Sequence, residues 1–319
     1  MLKLARDRFE AARDFMRTAA QDIDAALFEH HFEGRTREDV AAVLATYQNP
    51  DGGFGTLTYD MESPCSCLKH SESACRYLFR LDLPEDHPII GNLMTYLLAL
   101  YDPETGLWDD LLVPEVNDYP HAPWWTFPAA TQPIPRTRGE LVAQYDPNTY
   151  AALAAFVLKY RSLVPDDRAG YSLVEAITSV PLEKTRSGAD FSPYDALSLN
   201  YLFNELGDEE ERAELLDILI GNGRLVELLG PGPLVGEDAY KLVHLIDSPE
   251  HRHYPEYRSY VDQTLDHLIG VQQADGTWQP NWHWGDDEVW ARVERRLKGS
   301  LTVQFLWALH RFGRLASRN

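Results

Sequence analysis

The stretch richest in chemically active side chains is PEVNDYPHAPWW, a proline-rich segment at 114–125. Its polar and aromatic groups are Glu115, Asn117, Asp118, His121, Trp124 and Trp125. The prolines predict a stiff loop that is not a helix, and loops held on a rigid scaffold often carry functional groups. We predict an acid–base pair of Asp118 or Glu115 with His121. Asn117 and the tryptophan faces would bind a cation or a hydrophobic substrate. The alternative is a packed loop whose polar groups cap helices.

A second candidate is QPNWHWGDDEVW at 279–290. We predict that Trp282 and Trp284 line a cavity and that Asp286 and Asp287 contribute to substrate binding. Either aspartate is also a suitable N-cap for the helix that follows, and this is the alternative role. If the substrate is a diphosphate, Mg²⁺ is the cofactor to expect; the sequence indicates no other.

The third candidate is TYDMESPCSCLKH at 58–70, where Tyr59, Asp60 and Glu62 precede a predicted helix. Asp60 and Glu62 are expected either to face a cavity as catalytic acids, with Tyr59 beside the substrate, or to pair with the helix N-terminus.

Three cysteines and a histidine invite a zinc interpretation of the same region; they are Cys65, Cys67, His70 and Cys75. Their spacing is not that of a usual zinc site. On a helix His70 and Cys75 would lie far apart around the axis, so we predict buried thiols and no metal site.

Helical periodicity connects these candidates, and strictly alternating β patterns are absent, so we predict an all-α protein. In the first predicted helix, for example, Ala5, Phe9, Ala12 and Met16 fall near one stripe. The other predicted helices lie at about 21–32, 37–48, 68–82, 88–101, 139–161, 171–178, 193–205, 208–220, 237–247, 255–272, 287–297 and 299–313.

A short motif recurs between the helices. QNPDGGF, DPETGLW and QQADGTW begin at Gln48, Asp102 and Gln272 and align without gaps. Each copy has glycine at its fifth position and an aromatic residue at its seventh. We predict that the glycine supplies the positive φ of a turn at the end of a helix and that the aromatic ring covers the helix end. The motif is therefore predicted to be structural.

The spacing of the motif predicts the architecture. The first two copies begin 54 residues apart and the third begins 170 residues later, close to three such periods. A period of this length accommodates one helical hairpin, and 319 residues accommodate about six. We therefore predict a single domain over 1–319, an (α/α)6 toroid with a central cavity.

Charge and composition limit the partners. Fifty acidic against 29 basic residues give a net charge of −21, which argues against nucleic acid and anionic membranes. No run of 18 apolar residues predicts a transmembrane span, and the charged N-terminus is unlike a signal peptide. Three clustered cysteines do not indicate a disulfide framework. These features predict a cytoplasmic protein, and the tryptophan-rich segments predict a small hydrophobic substrate.

The repeated motif resembles the Q…G-x-W repeats of the terpenoid (squalene) cyclase and protein prenyltransferase β-subunit superfamily. DGGFG, PEVNDYPHAPWW and WHWG also resemble segments of bacterial squalene-cyclase-like repeat proteins of unassigned function. The resemblance implies an (α/α)6 barrel whose cavity often holds isoprenoids. The DxDD and DDxxD motifs of the cyclases do not occur here, so the resemblance assigns no catalytic residue.

Three functions follow from these observations. The first is a terpenoid-cyclase-like enzyme that acts on a prenyl diphosphate or a polyprene in an aromatic-lined cavity. The second is a carbohydrate-active (α/α)6 hydrolase or lyase with two carboxylates and tryptophan platforms. The third is a binding or scaffolding toroid without catalysis.

Overall fold

The computed structural model describes residues 1–108, 111–128, 134–165, 172–221, 229–230, 241–280, 282–283, 285 and 288–316. Over these ranges the chain is mainly helical, which confirms the all-α prediction; one two-residue antiparallel pair, β1 (Tyr101–Asp102) with β2 (Leu107–Trp108), accompanies the helices. The α-helices in the described ranges are α1 (Arg6–Thr18), α2 (Asp22–Glu33), α3 (Arg37–Ala45), α4 (Leu68–Leu81), α5 (Pro88–Ala99), α6 (Arg138–Gln144), α7 (Pro147–Lys159), α8 (Leu173–Arg186), α9 (Pro193–Asn204), α10 (Glu209–Ile220), α11 (Tyr254–Val271) and α12 (Glu288–Arg311). No helix within these ranges is long and apolar enough to cross a membrane.

Two helix predictions were wrong at Pro and Gly positions. The helix predicted over 139–161 is broken between α6 and α7, because Asp146 caps α7 by accepting from the Asn148 N–H and Pro147 opens it. The helices predicted at 287–297 and 299–313 are one helix, α12. Gly299 does not end α12; a Cβ there would lie 3.0 Å from Ala20 Cβ, so this glycine allows close packing.

Two further predictions differ from the structure in extent. The helix predicted over 171–178 continues to Arg186 as α8. In the described part of the stretch predicted as helix over 237–247, the regular element is the 3₁₀ turn Leu242–His244. The proline-rich 114–125 stretch also forms short 3₁₀ turns, Pro114–Asp118 and Pro123–Trp125, where a loop without helix was predicted.

Contacts divide the chain into two compact units, residues 44–222 and residues 1–43 with 223–319. The prediction of one toroid over 1–319 stays a prediction. In the unit formed by 44–222, α7 packs against α4, α8 and α9. Residues 151–157 of α7 are almost all small or aliphatic and are fully buried, as expected for a central helix.

In the unit formed by 1–43 and 223–319, the two chain ends are joined. Leu4 forms a parallel bridge with Leu315, and its N–H donates to the Arg314 carbonyl at 2.7 Å. The buried Arg314 side chain donates to the Leu2 carbonyl at 2.7 Å and to Asp266 on α11 at 2.9 Å. Helix α12 packs against α1 and α2 in the same unit.

The repeated motif forms the predicted turns. Gly52, Gly106 and Gly276 have φ of 91°, 74° and 83°. The aromatic residues at the seventh position, Phe54, Trp108 and Trp278, are buried. The Trp108 indole N–H donates to the Leu97 carbonyl of α5 at 3.0 Å, and that of Trp278 donates to the Leu268 carbonyl of α11 at 2.9 Å. In the second and third copies the aromatic ring therefore covers the preceding helix, as predicted for the structural role of the motif.

The first and third copies are also hydrogen-bonded to the backbone of another helix in their own unit. The Gln48 amide donates to the Gly52 carbonyl and to the Ile89 carbonyl in the first turn of α5. The Gln272 amide donates to the Gly276 carbonyl and, at 3.4 Å, to the Arg8 carbonyl in the first turn of α1.

Both glycines lie directly on the helix that is held in this way. A Cβ at Gly52 would lie 2.2 Å from the Asn92 carbonyl oxygen of α5, and one at Gly276 would lie 2.0 Å from the Ala12 nitrogen of α1. The third copy therefore holds the N-terminal helix α1 as the first copy holds α5.

Candidate functional site

Two of the three candidate stretches are joined. Residues 60–62 pair with residues 120–122 in an antiparallel bridge centred on Met61 and His121. The Ala122 N–H donates to the Asp60 carbonyl at 2.9 Å, and the Glu62 N–H donates to the Pro120 carbonyl at 2.9 Å. The pairing brings the acid-containing segment and the tryptophan-containing segment together.

Asp60 lies at the centre of this junction. The side chain is 3% exposed, and its Oδ2 accepts from the Trp124 indole N–H at 3.0 Å. Burial raises the pKa of the Asp60 carboxyl, against the opposing effects of Trp125, Lys69 and Trp124. Burial outweighs these effects, so the Asp60 carboxyl retains its proton to a higher pH than an ordinary aspartate does.

Two polar atoms at this junction are buried without a hydrogen-bond partner in the structure. They are Asp60 Oδ1 and Trp125 Nε1. The Trp125 indole lies near enough to lower the pKa of Asp60, but its N–H makes no hydrogen bond of normal geometry. Unsatisfied buried polar groups are rare in folded proteins and call for an explanation, such as a ligand or a catalytic role.

Lys69 supplies the positive charge near Asp60. It lies in the first turn of α4, and its Nζ lies 5.1 Å from the centre of the Trp125 ring, within cation–π range. The same Nζ donates to Glu72 Oε2 at 2.9 Å, and the other oxygen of Glu72 pairs with Arg76. Asp60, Lys69, Trp124 and Trp125 are hereafter called the Asp60 site.

Glu72 is the electrostatic opposite of Asp60. It is fully buried, which alone raises the pKa of a carboxyl, but the charges of Arg76 and Lys69 outweigh burial and lower it. Two buried carboxyl groups on adjoining elements therefore have pKa values shifted in opposite directions. Such a separation is typical of sites that need one group protonated and another ionised.

His70 is fully buried next to Lys69 on α4. Its Nδ1 accepts from the Thr58 backbone N–H at 3.0 Å, which places the proton of the neutral ring on Nε2. Burial lowers the pKa of His70 to about 3, so the ring is neutral near pH 7. His70 therefore anchors the segment before Asp60 and adds no charge to it.

Two of the three cysteines near the site are buried. Cys67 and Cys75 are buried, and burial raises the pKa of both thiols. No group of three or more His, Cys, Asp or Glu side chains suited to a metal ion is formed among the residues that the structure describes.

The backbone just before the site is strained. Thr56 has φ of 53°, a left-handed conformation that is unusual for a β-branched residue. Its N–H is held by the Ser63 carbonyl at 2.7 Å, so residues 56–63 form a closed loop around Asp60. Strain of this kind is found preferentially at functional sites.

The predicted acid–base pair is not formed in the structure. His121 Nδ1 bonds the Tyr119 carbonyl at 2.7 Å, and its Nε2 lies 3.3 Å from Thr126 Oγ1. Asp118 and Glu115 are exposed, and neither bonds His121 within the described ranges. Adjacency in sequence suggested the pair, but the turn directs His121 to its own backbone.

The remaining predicted residues of this region either hold the loop closed or lie beside Asp60. Asn117 holds the loop closed, because its Oδ1 accepts from the Phe127 N–H at 2.9 Å and its amide donates to the Phe127 carbonyl at 2.6 Å. Tyr59 and Glu62 are partly buried beside Asp60. Helix pairing, the alternative role for Asp60, is not seen: Cys67 is the N-cap residue of α4, and Asp60 bonds Trp124.

The candidate stretch at 279–290 belongs to the other unit. Trp282 is partly buried, and its ring centre lies 5.4 Å from that of the buried Trp290. Trp284, Asp286 and Asp287 lie outside the described residues.

Sequence reasoning missed Lys69 and Glu72. Lys69, Glu72 and Arg76 stand at i, i+3 and i+7 of α4, a spacing that places all three on one helix face. A charged stripe of this kind usually faces solvent. The apolar residues around it in HSESACRYLF were the available signal that it is buried.

The Asp60 site brings together a buried carboxyl, two indole rings and a lysine side chain. One oxygen of this carboxyl has no hydrogen-bond partner, and burial raises its pKa. Trp124 is 46% exposed, so one of these rings is open to contact with a ligand.

Comparisons with known proteins identified no relative. No family model matches the chain, and no curated protein or solved structure matches it significantly. The resemblance to the terpenoid-cyclase superfamily therefore stays a prediction.

Proposed function

We propose that this protein is a terpenoid-cyclase-like enzyme in which Asp60 donates a proton to an alkene of an isoprenoid. The observation that carries the proposal is the buried Asp60 carboxyl, whose pKa is raised by burial and whose Oδ1 is unpartnered beside Trp124 and Trp125. Alkene protonation needs a strong acid in a dry, apolar setting, together with a surface that tolerates a carbocation.

The proposed reaction is balanced within the substrate and Asp60. The π electrons of the alkene form a C–H bond to the carboxyl proton, which leaves a carbocation on the substrate and a carboxylate on Asp60. The indole faces of Trp124 and Trp125 stabilise the cation through their π electrons. Ring closure follows, and the cation then loses a proton or adds water. Asp60 recovers a proton from solvent.

The (α/α)6 toroid is part of the same proposal. Three observations support it: the helical content, the recurrence of one turn at Gln48, Asp102 and Gln272, and the way the third copy holds α1. A ring of hairpins requires contacts between helices that are distant in sequence, and the Gln272 bond to the Arg8 carbonyl supports the proposal as one such contact. The isoprenoid would bind in the central cavity of this ring.

A product screen tests the proposal. Purified protein is incubated with squalene, farnesyl diphosphate and geranylgeranyl diphosphate, each with and without Mg²⁺, and extracts are analysed by gas chromatography–mass spectrometry. We expect a cyclised product that forms without Mg²⁺, because protonation requires no ionisation of a diphosphate. A product formed only with Mg²⁺ would contradict the role of Asp60 as proton donor.

The same preparation tests the carbohydrate alternative. Oligosaccharides of several linkages are incubated with the protein, and released reducing ends are measured. We expect no release. If a sugar is cleaved and no isoprenoid gives a product, the proposed function is wrong and the protein is a glycoside hydrolase or lyase.

A further inference from the structure

From Lys69, the Asp60 site continues along α4 as a group of charged side chains. Lys69, Glu72 and Arg76 form a buried chain of ion pairs, with Lys69 at the end nearest Asp60. The Glu72 side chain is 0% exposed and that of Lys69 is 11% exposed. Burying three charges is costly, and such arrangements often serve a purpose other than stability.

Lys69 has contacts on two sides. Its Nζ is held by Glu72 at 2.9 Å and lies 5.1 Å from the centre of the Trp125 ring. Trp125 borders Asp60, and the field of Lys69 reaches the Asp60 carboxyl. Titratable residues near Asp60 along the chain and in the paired segment include Tyr59, Glu62 and His121.

We propose, on the basis of the proposed function, that Lys69 is a positioning residue that stabilises the ionised form of Asp60, and that Glu72 acts through Lys69 to limit this effect. When Asp60 is protonated, the group formed with Lys69, Glu72 and Arg76 has a net charge of +1. When Asp60 has given up its proton, the group is neutral. Proton transfer to the substrate therefore relieves an excess of buried positive charge. Burial raises the pKa of the Asp60 carboxyl, and the charge of Lys69 opposes this rise and so makes Asp60 a stronger acid.

The two residues act in opposite directions, and this allows a clear test. Removing the charge of Lys69 destabilises the Asp60 carboxylate, so Lys69→Met raises the pH at which Asp60 ionises. Removing the charge of Glu72 frees Lys69 to act on Asp60, so Glu72→Gln lowers that pH. A nearby charge shifts the pH at which a carboxyl group ionises by about 1–3 pH units. We expect each substitution to shift the midpoint of Asp60 by at least about one pH unit.

The measurement is the infrared carbonyl band of the protonated Asp60 side chain, titrated against pH in the full-length protein. Asp60→Asn removes the band and so assigns it. Lys69→Arg keeps the charge and is the matched control for Lys69→Met; we expect it to retain a midpoint close to that of the wild type. In the Lys69→Met background, Glu72→Gln is expected to cause no further shift.

Several outcomes would overturn the inference. An unchanged or lowered midpoint in Lys69→Met contradicts the role of Lys69. A shift of equal size caused by Glu72→Gln in the presence and absence of Lys69 contradicts the claim that Glu72 acts through it. If Glu72→Gln does not fold, the comparison of Lys69→Met with Lys69→Arg decides, because these variants leave Glu72 in place.

The titration needs no substrate, so it separates this inference from the proposed function. If the midpoints shift as expected but no isoprenoid is cyclised, the proposed function fails and the control of Asp60 by Lys69 stands. If the wild type cyclises an isoprenoid but the midpoints do not shift, the inference about Lys69 and Glu72 fails alone.

Discussion

Asp60 lies only a few residues after the turn at 48–54, but the two regions differ in whether their polar groups have hydrogen-bond partners. In the turn, Gln48, Asn49 and Asp51 are all hydrogen-bonded to backbone or side-chain partners. At the Asp60 site, Asp60 Oδ1 and Trp125 Nε1 are buried without partners. A satisfied network stabilises a fold, whereas unsatisfied groups beside an exposed aromatic ring are what a ligand site requires. The difference separates the structural motif from the chemistry that follows it.

The largest expected effect is on turnover and comes from replacing aspartate by asparagine, once at the Asp60 site and once in the turn at 48–54. Asp60→Asn removes the proposed acid, and we expect turnover to fall by about 10²–10⁴-fold. Asp51→Asn is the matched control, because an amide oxygen can still accept from the Gly53 N–H and the Ser66 hydroxyl. It should leave turnover of the folded protein unchanged. Equal turnover in Asp60→Asn and wild type would remove Asp60 from the mechanism.

Asp60→Asn is also expected to raise the melting temperature at neutral pH. The pKa of Asp60 is raised in the folded state, so its favourable contribution to folding is present at low pH and is lost as the pH rises through the raised pKa. The asparagine avoids that loss. The gain should disappear below about pH 4, where aspartate is protonated in both states. A lower melting temperature at every pH would show that Asp60 is structural.

The next largest effect concerns the turns. Gly52→Ala and Gly276→Ala each place a Cβ at a positive φ and against the backbone of another helix. Strain and overpacking together should lower the free energy of unfolding by about 2–5 kcal/mol in urea titrations. Gly34→Ala is the control, because Gly34 has φ of 84° but no atom within 4 Å of the added Cβ. If all three variants lost the same free energy, conformational strain rather than helix locking would explain the turns.

A further prediction distinguishes His70 from Asp60 by the sign of the pH dependence of stability. The pKa of His70 is lowered to about 3 in the folded state, so the unfolded chain binds a proton first as the pH falls. Stability should therefore fall by about 1.4 kcal/mol per pH unit between about pH 6 and pH 3 because of His70. In His70→Gln this part of the slope is expected to vanish. An identical slope in the variant would show that His70 is protonated in the native protein.

The smallest effect tests whether two copies of the motif are equivalent. Trp108→Phe and Trp278→Phe each remove one indole hydrogen bond to a helix carbonyl, at Leu97 and Leu268. We expect each to cost about 0.5–1.5 kcal/mol in chemical unfolding. Similar losses in the two variants would support equivalent roles. A loss confined to one of them would show that the copies have diverged.

The sequence predicted the parts of the molecule that depend on local interactions. Helical spacing located most helices, and glycine with an aromatic residue located the turns at Gly52, Gly106 and Gly276. The misplaced boundaries near Pro147 and Gly299 reflect capping and close packing, which single-sequence patterns weigh poorly.

The site was predicted only in parts. Both segments contained candidates, at Asp60, Trp124 and Trp125. The sequence did not predict that they lie together, because that depends on pairing between residues about 60 positions apart, which local patterns do not encode. His121 was assigned to the nearest acids in sequence, and the 3₁₀ geometry gives it backbone partners. The charged residues Lys69 and Glu72 resembled a solvent-facing stripe because burial depends on tertiary packing.

The most direct test of the central claim is cyclisation of an isoprenoid in D₂O. The Asp60 proton exchanges with solvent, so protonation of the substrate should add one deuterium per product molecule, which mass spectrometry detects. We expect singly labelled product from the wild type and little or no product from Asp60→Asn. A cyclised product without solvent deuterium, or labelled product formed equally well by Asp60→Asn, would contradict the central claim.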